Sequence, residues 1–206
     1  MKSALIIVDI QHDFIDGSLA LSKCPAGEDG LLVIPVINDI LQKNHFDTIV
    51  FTRDYHPPNH VSFGEWPVHC VQGTKGVEYH PELNRSPQNC ENILEIRKGS
   101  NIKVDSYSAF WDNEHREESE LRMKLKQRSI ETVYICGLAF DFCVFHTAMD
   151  SVQSEFKTFI VEDACRSVNL QTSTEMIEKR SKLNEAGVKL IQSKDIPLYL
   201  SINKDN

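Results

Sequence analysis

A chain of 206 residues, 41% apolar and 25% charged, has the make-up of an ordinary globular protein with one real core. Its net charge of −8 repels phosphate backbones and anionic lipid, and the basic stretch at 122–128 reads as a solvated helix face, so neither nucleic acid nor a membrane is an expected partner. No apolar run is long enough to span a bilayer, and Met1-Lys2-Ser3 lead into too short a run for a secretory signal; a cytoplasmic location with reduced cysteines is expected.

In chain order, a continuous Ala, Leu, Ile and Val run predicts a strand over 4–10. Apolar residues at 33, 36, 37, 40 and 41 predict a helix over 32–43, and a second strand follows at 48–52. Residues 53–92 are rich in Pro, Gly, His and Asn with little periodicity, and an excursion that long is usually functional. A weaker strand at 93–96, a charged helix at 114–126, a strand at 132–136 and a helix at 144–152 come next. A strand at 158–161, a weaker helix at 172–185, a weak strand at 188–191 and a short tail at 203–206 complete the chain. Strands unbroken in Val, Ile, Leu or Phe and alternating with helices predict one α/β domain over 1–202. Its expected form is a three-layer α/β/α sandwich with a mainly parallel, roughly six-stranded sheet.

Open sheets of this kind bind ligands beyond the carboxyl ends of their strands. Asp9, Asp54, Lys98 and Cys143 all fall there. A cysteine beside an apolar helix is by itself more often packing than chemistry. Cys143, however, sits at a predicted helix start with Asp141 as a candidate N-cap, where the helix dipole favours a thiolate. Cys136, in mid-strand, reads as core; Cys24, Cys70, Cys90 and Cys165 are not ranked by position, and no CxxC pair suggests a zinc knuckle. Lys98 at a strand end is ordinarily just solvated, but beside a thiol its charge would lower the thiol pKa. Asp9, abutting a buried strand, needs a partner or a task, whereas Asp13 could simply cap a turn. Asp54-x-His56-x3-His60, with His69 following, mixes carboxylate and imidazole as zinc and neighbouring divalent ions prefer. Its bland reading is a polar loop with locally bonded histidines. Trp66, beside His69, would wall a flat substrate or merely pack.

Taken in order, VDIQHDF, TRDYHPPNH, WPVHCVQGT, IRKG, DSYSAF and GLAFDFCV resemble the nicotinamidases among the isochorismatase-like cysteine hydrolases, and VEDAC at 161–165 fits as well. The resemblance runs from about residue 4 to residue 166. It implies a catalytic triad of Asp9, Lys98 and Cys143, and metal ligation by Asp54, His56 and His69, with His60 a further ligand or a neighbour of the ligands. It implies a pocket for nicotinamide lined by Phe14, Trp66 and Tyr107 with Leu138 and Ala139, a cis peptide at Leu138-Ala139, and an oxyanion hole from the amides of Ala139 and Cys143. Phe142 stands where some members have histidine, which alters the pocket rim. One divalent ion is implied, zinc before iron or manganese, and a homo-oligomer is left open. The alternatives are a cysteine amidohydrolase for carbamoyl- or ureido-type amides, a hydrolase using metal-bound water with Cys143 as filler, and a non-catalytic metal- or pyridine-binding protein. Cys143→Ser would keep most activity only under the metal-water reading.

Overall fold

The computed structural model describes residues 1–90 and 92–202; the expected tail at 203–206 lies outside them. The apolar runs become six strands: β1 (Lys2–Val8), β2 (Thr48–Asp54), β3 (Ile93–Lys98), β4 (Ile130–Leu138), β5 (Lys157–Arg166) and β6 (Lys189–Ile191). They form one sheet in the order β3-β2-β1-β4-β5-β6, and every pairing is parallel. The central strands carry no polar alternation because both faces are covered, and β2 is buried along its whole length.

The helices are α1 (His12–Ile15), α2 (Val33–Lys43), α3 (Leu121–Gln127), α4 (Phe145–Gln153), α5 (Thr174–Glu185) and α6 (Ile196–Ile202). Right-handed crossovers put α2 on one face of the sheet and α3, α4 and α5 on the other. The strand order reverses between β1 and β4, so a crevice opens beyond the carboxyl ends of those two neighbours. Asp9 follows β1 and Cys143 follows β4, which places both at that crevice. Among the described residues no helix is long and apolar enough to cross a membrane, and all six cysteines are free.

Two local expectations differ. The helix expected over 114–126 forms only from Leu121. The Asp112 carboxylate accepts from the N–H groups of Glu114, Arg116 and Glu117 at 2.9–3.0 Å, and His115 is left-handed, so the side chain takes the amides that a helix would need. Asp141 does not cap α4. It lies inside a π-turn (Phe140–Val144) and reaches across to accept from Val168 and Asn169 N–H, both at 2.9 Å.

The excursion at 53–92 is held by α1 and its flank. The buried Gln11 donates to the Asp54 and Val77 carbonyls and accepts from Asp54 N–H, each at 2.9 Å. Asp13 does more than close a turn: beyond Ser18 N–H at 3.1 Å it accepts from Cys70 N–H at 2.7 Å.

Candidate active site

Four strand ends deliver the charged cluster. Asp9 is the first residue past β1, and its left-handed backbone (φ 52°) ends the strand. Thr52 Oγ1 donates to Asp9 Oδ1 at 2.6 Å from the neighbouring β2. Asp54 and Lys98 close β2 and β3 and are paired in register. The Lys98 ammonium is 2.8 Å from Asp9 Oδ2, 3.3 Å from Cys143 Sγ and 3.1 Å from the Ser106 carbonyl, and it also donates to Asp54 Oδ1. A carboxylate oxygen of Asp9 lies within 4.8 Å of Cys143 Sγ. All four side chains are buried.

Burial pushes Asp9 up to about 6, against the opposing pull of Lys98. Lys98 itself is held well above its usual value: burial opposes the charge, but Asp54 and Asp9 outweigh burial. Burial also drives the Cys143 thiol well above its usual range, and Asp9 and Asp54 add to that despite Lys98. The helix-start placement and Lys98 favour a thiolate, while burial and the two carboxylates push toward the thiol. Asp9, poised to gain a proton, is the acceptor nearest to hand.

Asp54 Oδ2 is 3.6 Å from His56 Nε2 and 3.8 Å from His69 Nε2. Both rings have Nδ1 against a backbone carbonyl, Gly99 at 2.9 Å and Pro67 at 2.7 Å, so Nδ1 carries the proton and Nε2 faces Asp54. His56 Nε2 is buried with no hydrogen-bond partner. One carboxylate and two imidazoles, backed by carbonyls, fit a divalent metal ion. Burial opposes ionisation of Asp54, but Lys98 and His56 hold its carboxyl well below the usual range, so it stays an anion. Gly99 is required where it stands: its φ is +63°, and a Cβ there would come within 2.4 Å of the His56 ring.

His60 stacks on His56 (centroids 4.1 Å, 17°), with Nδ1 at 2.7 Å from Ser62 Oγ and Nε2 buried without a partner. Its ligand atom groups with those of His56 and Asp105, a cluster beside the one that Asp54, His56 and His69 make.

Next to this cluster is a pocket of about 420 Å³ including its mouth. Phe14, Trp66, Tyr107, Ala139, His69 and Cys143 all line it. Trp66 Nε1 donates to the Tyr107 hydroxyl at 3.0 Å, and Phe142 packs edge-on against both rings. The peptide Leu138-Ala139 is cis. The Leu138 side chain is the exception: it is fully buried and points to Gly30, not into the pocket. Asp105, Leu19, Leu21 and Val168 complete the wall. Sequence reasoning did not single them out; only Asp105 lay in a recognised motif.

The chain matches the isochorismatase domain family over residues 3–195. A nicotinamidase of Acinetobacter baylyi is 37% identical over 213 residues, covering 94% of each chain. Among solved structures, PnC1 of L. infantum in complex with nicotinate superposes with a TM-score of 0.83 at 34% identity, over 94% of this chain and 93% of that one. The pyrazinamidase of Pyrococcus horikoshii in complex with zinc gives 0.74 at 32% identity, over 93% and 99%. With an all-parallel sheet, a family match over residues 3–195 and relatives at 32–37% identity nearly end to end, this chain belongs to the isochorismatase family.

Proposed function

We propose that the protein is a nicotinamidase, hydrolysing nicotinamide to nicotinate and ammonia through a thioester on Cys143. The observation that carries this reading is the placement of Cys143 Sγ in a small aromatic pocket, 3.3 Å from Lys98 Nζ and beside Asp9. Asp9 takes the thiol proton as Sγ adds to the amide carbonyl, and Lys98 steadies the sulfur while its charge develops. The backbone N–H groups of Ala139 and Cys143 are assigned to the resulting oxyanion. Protonated Asp9 then gives its proton to the amide nitrogen, the C–N bond breaks, and ammonia departs. Water attacks the thioester as Asp9 takes its proton, the C–S bond breaks, and Asp9 returns that proton to the leaving sulfur, which restores the thiol and frees the acid that ionises to nicotinate. Phe14, Trp66 and Tyr107 sandwich the flat ring, with Phe142 at the rim.

Asp54, His56 and His69 would hold the divalent ion, zinc as in the pyrococcal pyrazinamidase or else iron or manganese, and the ion would supply a Lewis-acid contact for the pyridine nitrogen. The role of Asp54 is therefore double, since its other oxygen holds Lys98. The test is ammonia release from nicotinamide by metal-loaded protein, with nicotinate identified as the product. Chelated protein and His69→Ala should bind nicotinate at least about tenfold more weakly in calorimetry. His60→Ala should lose less, because its ligand atom groups with Asp105 instead. Release of ammonia from carbamoyl-type amides but not from nicotinamide would sink the substrate assignment. Equal nicotinate affinity with and without metal would remove the orienting role.

A further inference from the structure

His12, Asp16 and His80 form a second cluster of ligand-type side chains, outside the proposed active site. His12 opens α1 and Asp16 follows its last residue one helical turn later, with Asp16 N–H donating to the His12 carbonyl at 2.9 Å. His80 arrives from the far part of the 53–92 excursion. Two backbone bonds fix the segments in register: His12 N–H donates to the Glu78 carbonyl at 3.0 Å, and His80 N–H donates to the Ile10 carbonyl at 2.9 Å. They flank an antiparallel bridge between Gln11 and Tyr79. The two imidazoles therefore meet, with centroids 5.1 Å apart at 53°. Each of the three residues offers a ligand atom within 4.8 Å of the other two.

We propose that His12, Asp16 and His80 bind a second divalent transition-metal ion, of the zinc, nickel or cobalt class, which clamps α1 to the excursion. The donors are right in kind: two imidazoles and one carboxylate suit borderline ions, and three protein ligands leave room for water. They are right in spacing as well. His12 Nδ1 and Asp16 Oδ1 are 2.9 Å apart, so an ion at about 2.1 Å from each would be held at an angle of about 90°. The scaffold exists before the ion arrives, because backbone bonds and the α1 turn already hold all three residues. Access is open at Asp16, whose side chain is 53% exposed, while His80 is buried and gives the site a fixed floor. The Glu82 N–H contact to His80 Nδ1 is long, 3.4 Å, and does not lock that ring into one tautomer.

The bland account of this cluster is a single His12–Asp16 hydrogen bond. That account leaves the His80 ring with only its packing on His12 and the long Glu82 contact, and it predicts no metal stoichiometry. The clamp lies outside the neighbouring pocket: α1 reaches that pocket only through Phe14, which lines it and packs on the His69 ring at 5.6 Å, and none of His12, Asp16 and His80 lines it.

The experiment is equilibrium dialysis of the metal-loaded enzyme against buffered free Zn²⁺, with zinc per chain by elemental analysis and melting temperature read beside it. Wild type should carry one equivalent more than His12→Asn, Asp16→Asn and His80→Asn alike. His69→Ala should retain that extra equivalent, which separates this site from the one at Asp54. Zinc should raise the melting temperature of wild type more than that of the three variants, and amide hydrolysis by His12→Asn and Asp16→Asn should be unchanged. Asp16→Asn alters an exposed side chain, so its folding is not at issue even if His80→Asn proves unstable. If wild type and Asp16→Asn take up the same number of zinc ions with the same affinity, the second site does not exist.

Discussion

Cys143→Ala should lower kcat/KM for nicotinamide roughly 10⁴- to 10⁶-fold, the range seen when a covalent nucleophile is removed. The fold should survive, because removing one buried sulfur costs about 1 kcal/mol. Cys143 lies in the second half of the π-turn that leads into α4, where Val144 and Phe142 N–H both bond the Ala139 carbonyl, and none of that backbone depends on the thiol. Cys143→Ser should fare little better, since a serine hydroxyl is far less acidic than a thiol and Asp9 would have to deprotonate it. Ammonia release and thermal melting measured on the same preparations check both halves. Near-normal turnover by either variant would return the chemistry to metal-bound water.

Asp9→Asn carries the second large effect. An amide cannot take the thiol proton, and loss of a general base typically costs 10²- to 10⁴-fold in kcat. KM should change little, because Asp9 is buried beneath the cluster and is not among the residues lining the pocket. The same residue sets the acid limb of the wild-type profile. Asp9 works as a base only when ionised, and burial raises its pKa to about 6. The rate should therefore be level above that value and fall about tenfold per unit below it. The residual rate of Asp9→Asn should lack this limb. A wild-type acid limb near the ordinary aspartate value, with Asp9→Asn unimpaired, would show that another group takes the proton.

The sheet and the centre of the site were legible for one reason: buried parallel strands must be short, continuous apolar runs, and polar residues at their carboxyl ends must meet. Asp9, Asp54 and Lys98 could thus be placed together before any distance was known. The structure set the limits of that reasoning. Leu138 follows the strand pleat into the core, so a side chain beside Ala139 in sequence faces Gly30. The helix expected from residue 114 is pre-empted by the Asp112 carboxylate, a competition that periodicity cannot register. Leu21 and Val168 reach the pocket from a 3-10 turn and from the loop after β5. Their positions depend on long-range packing, and no local pattern marks them. Gln11 and Asp13, which pin the excursion, are short polar side chains whose partners lie more than forty residues away. Position alone could not register the opposing charges at Cys143: Lys98, which favours a thiolate, is shared with Asp9 and Asp54, and burial and the two carboxylates push the thiol the other way.

Hydroxylamine trapping during turnover tests the central claim most directly. A thioester on Cys143 is open to any small nucleophile that reaches the pocket, so wild-type enzyme turning over nicotinamide should form nicotinohydroxamate at the expense of nicotinate, in proportion to the hydroxylamine present. Nicotinate as sole product at every hydroxylamine concentration, with nicotinamide consumed at its normal rate, would contradict the covalent route through Cys143.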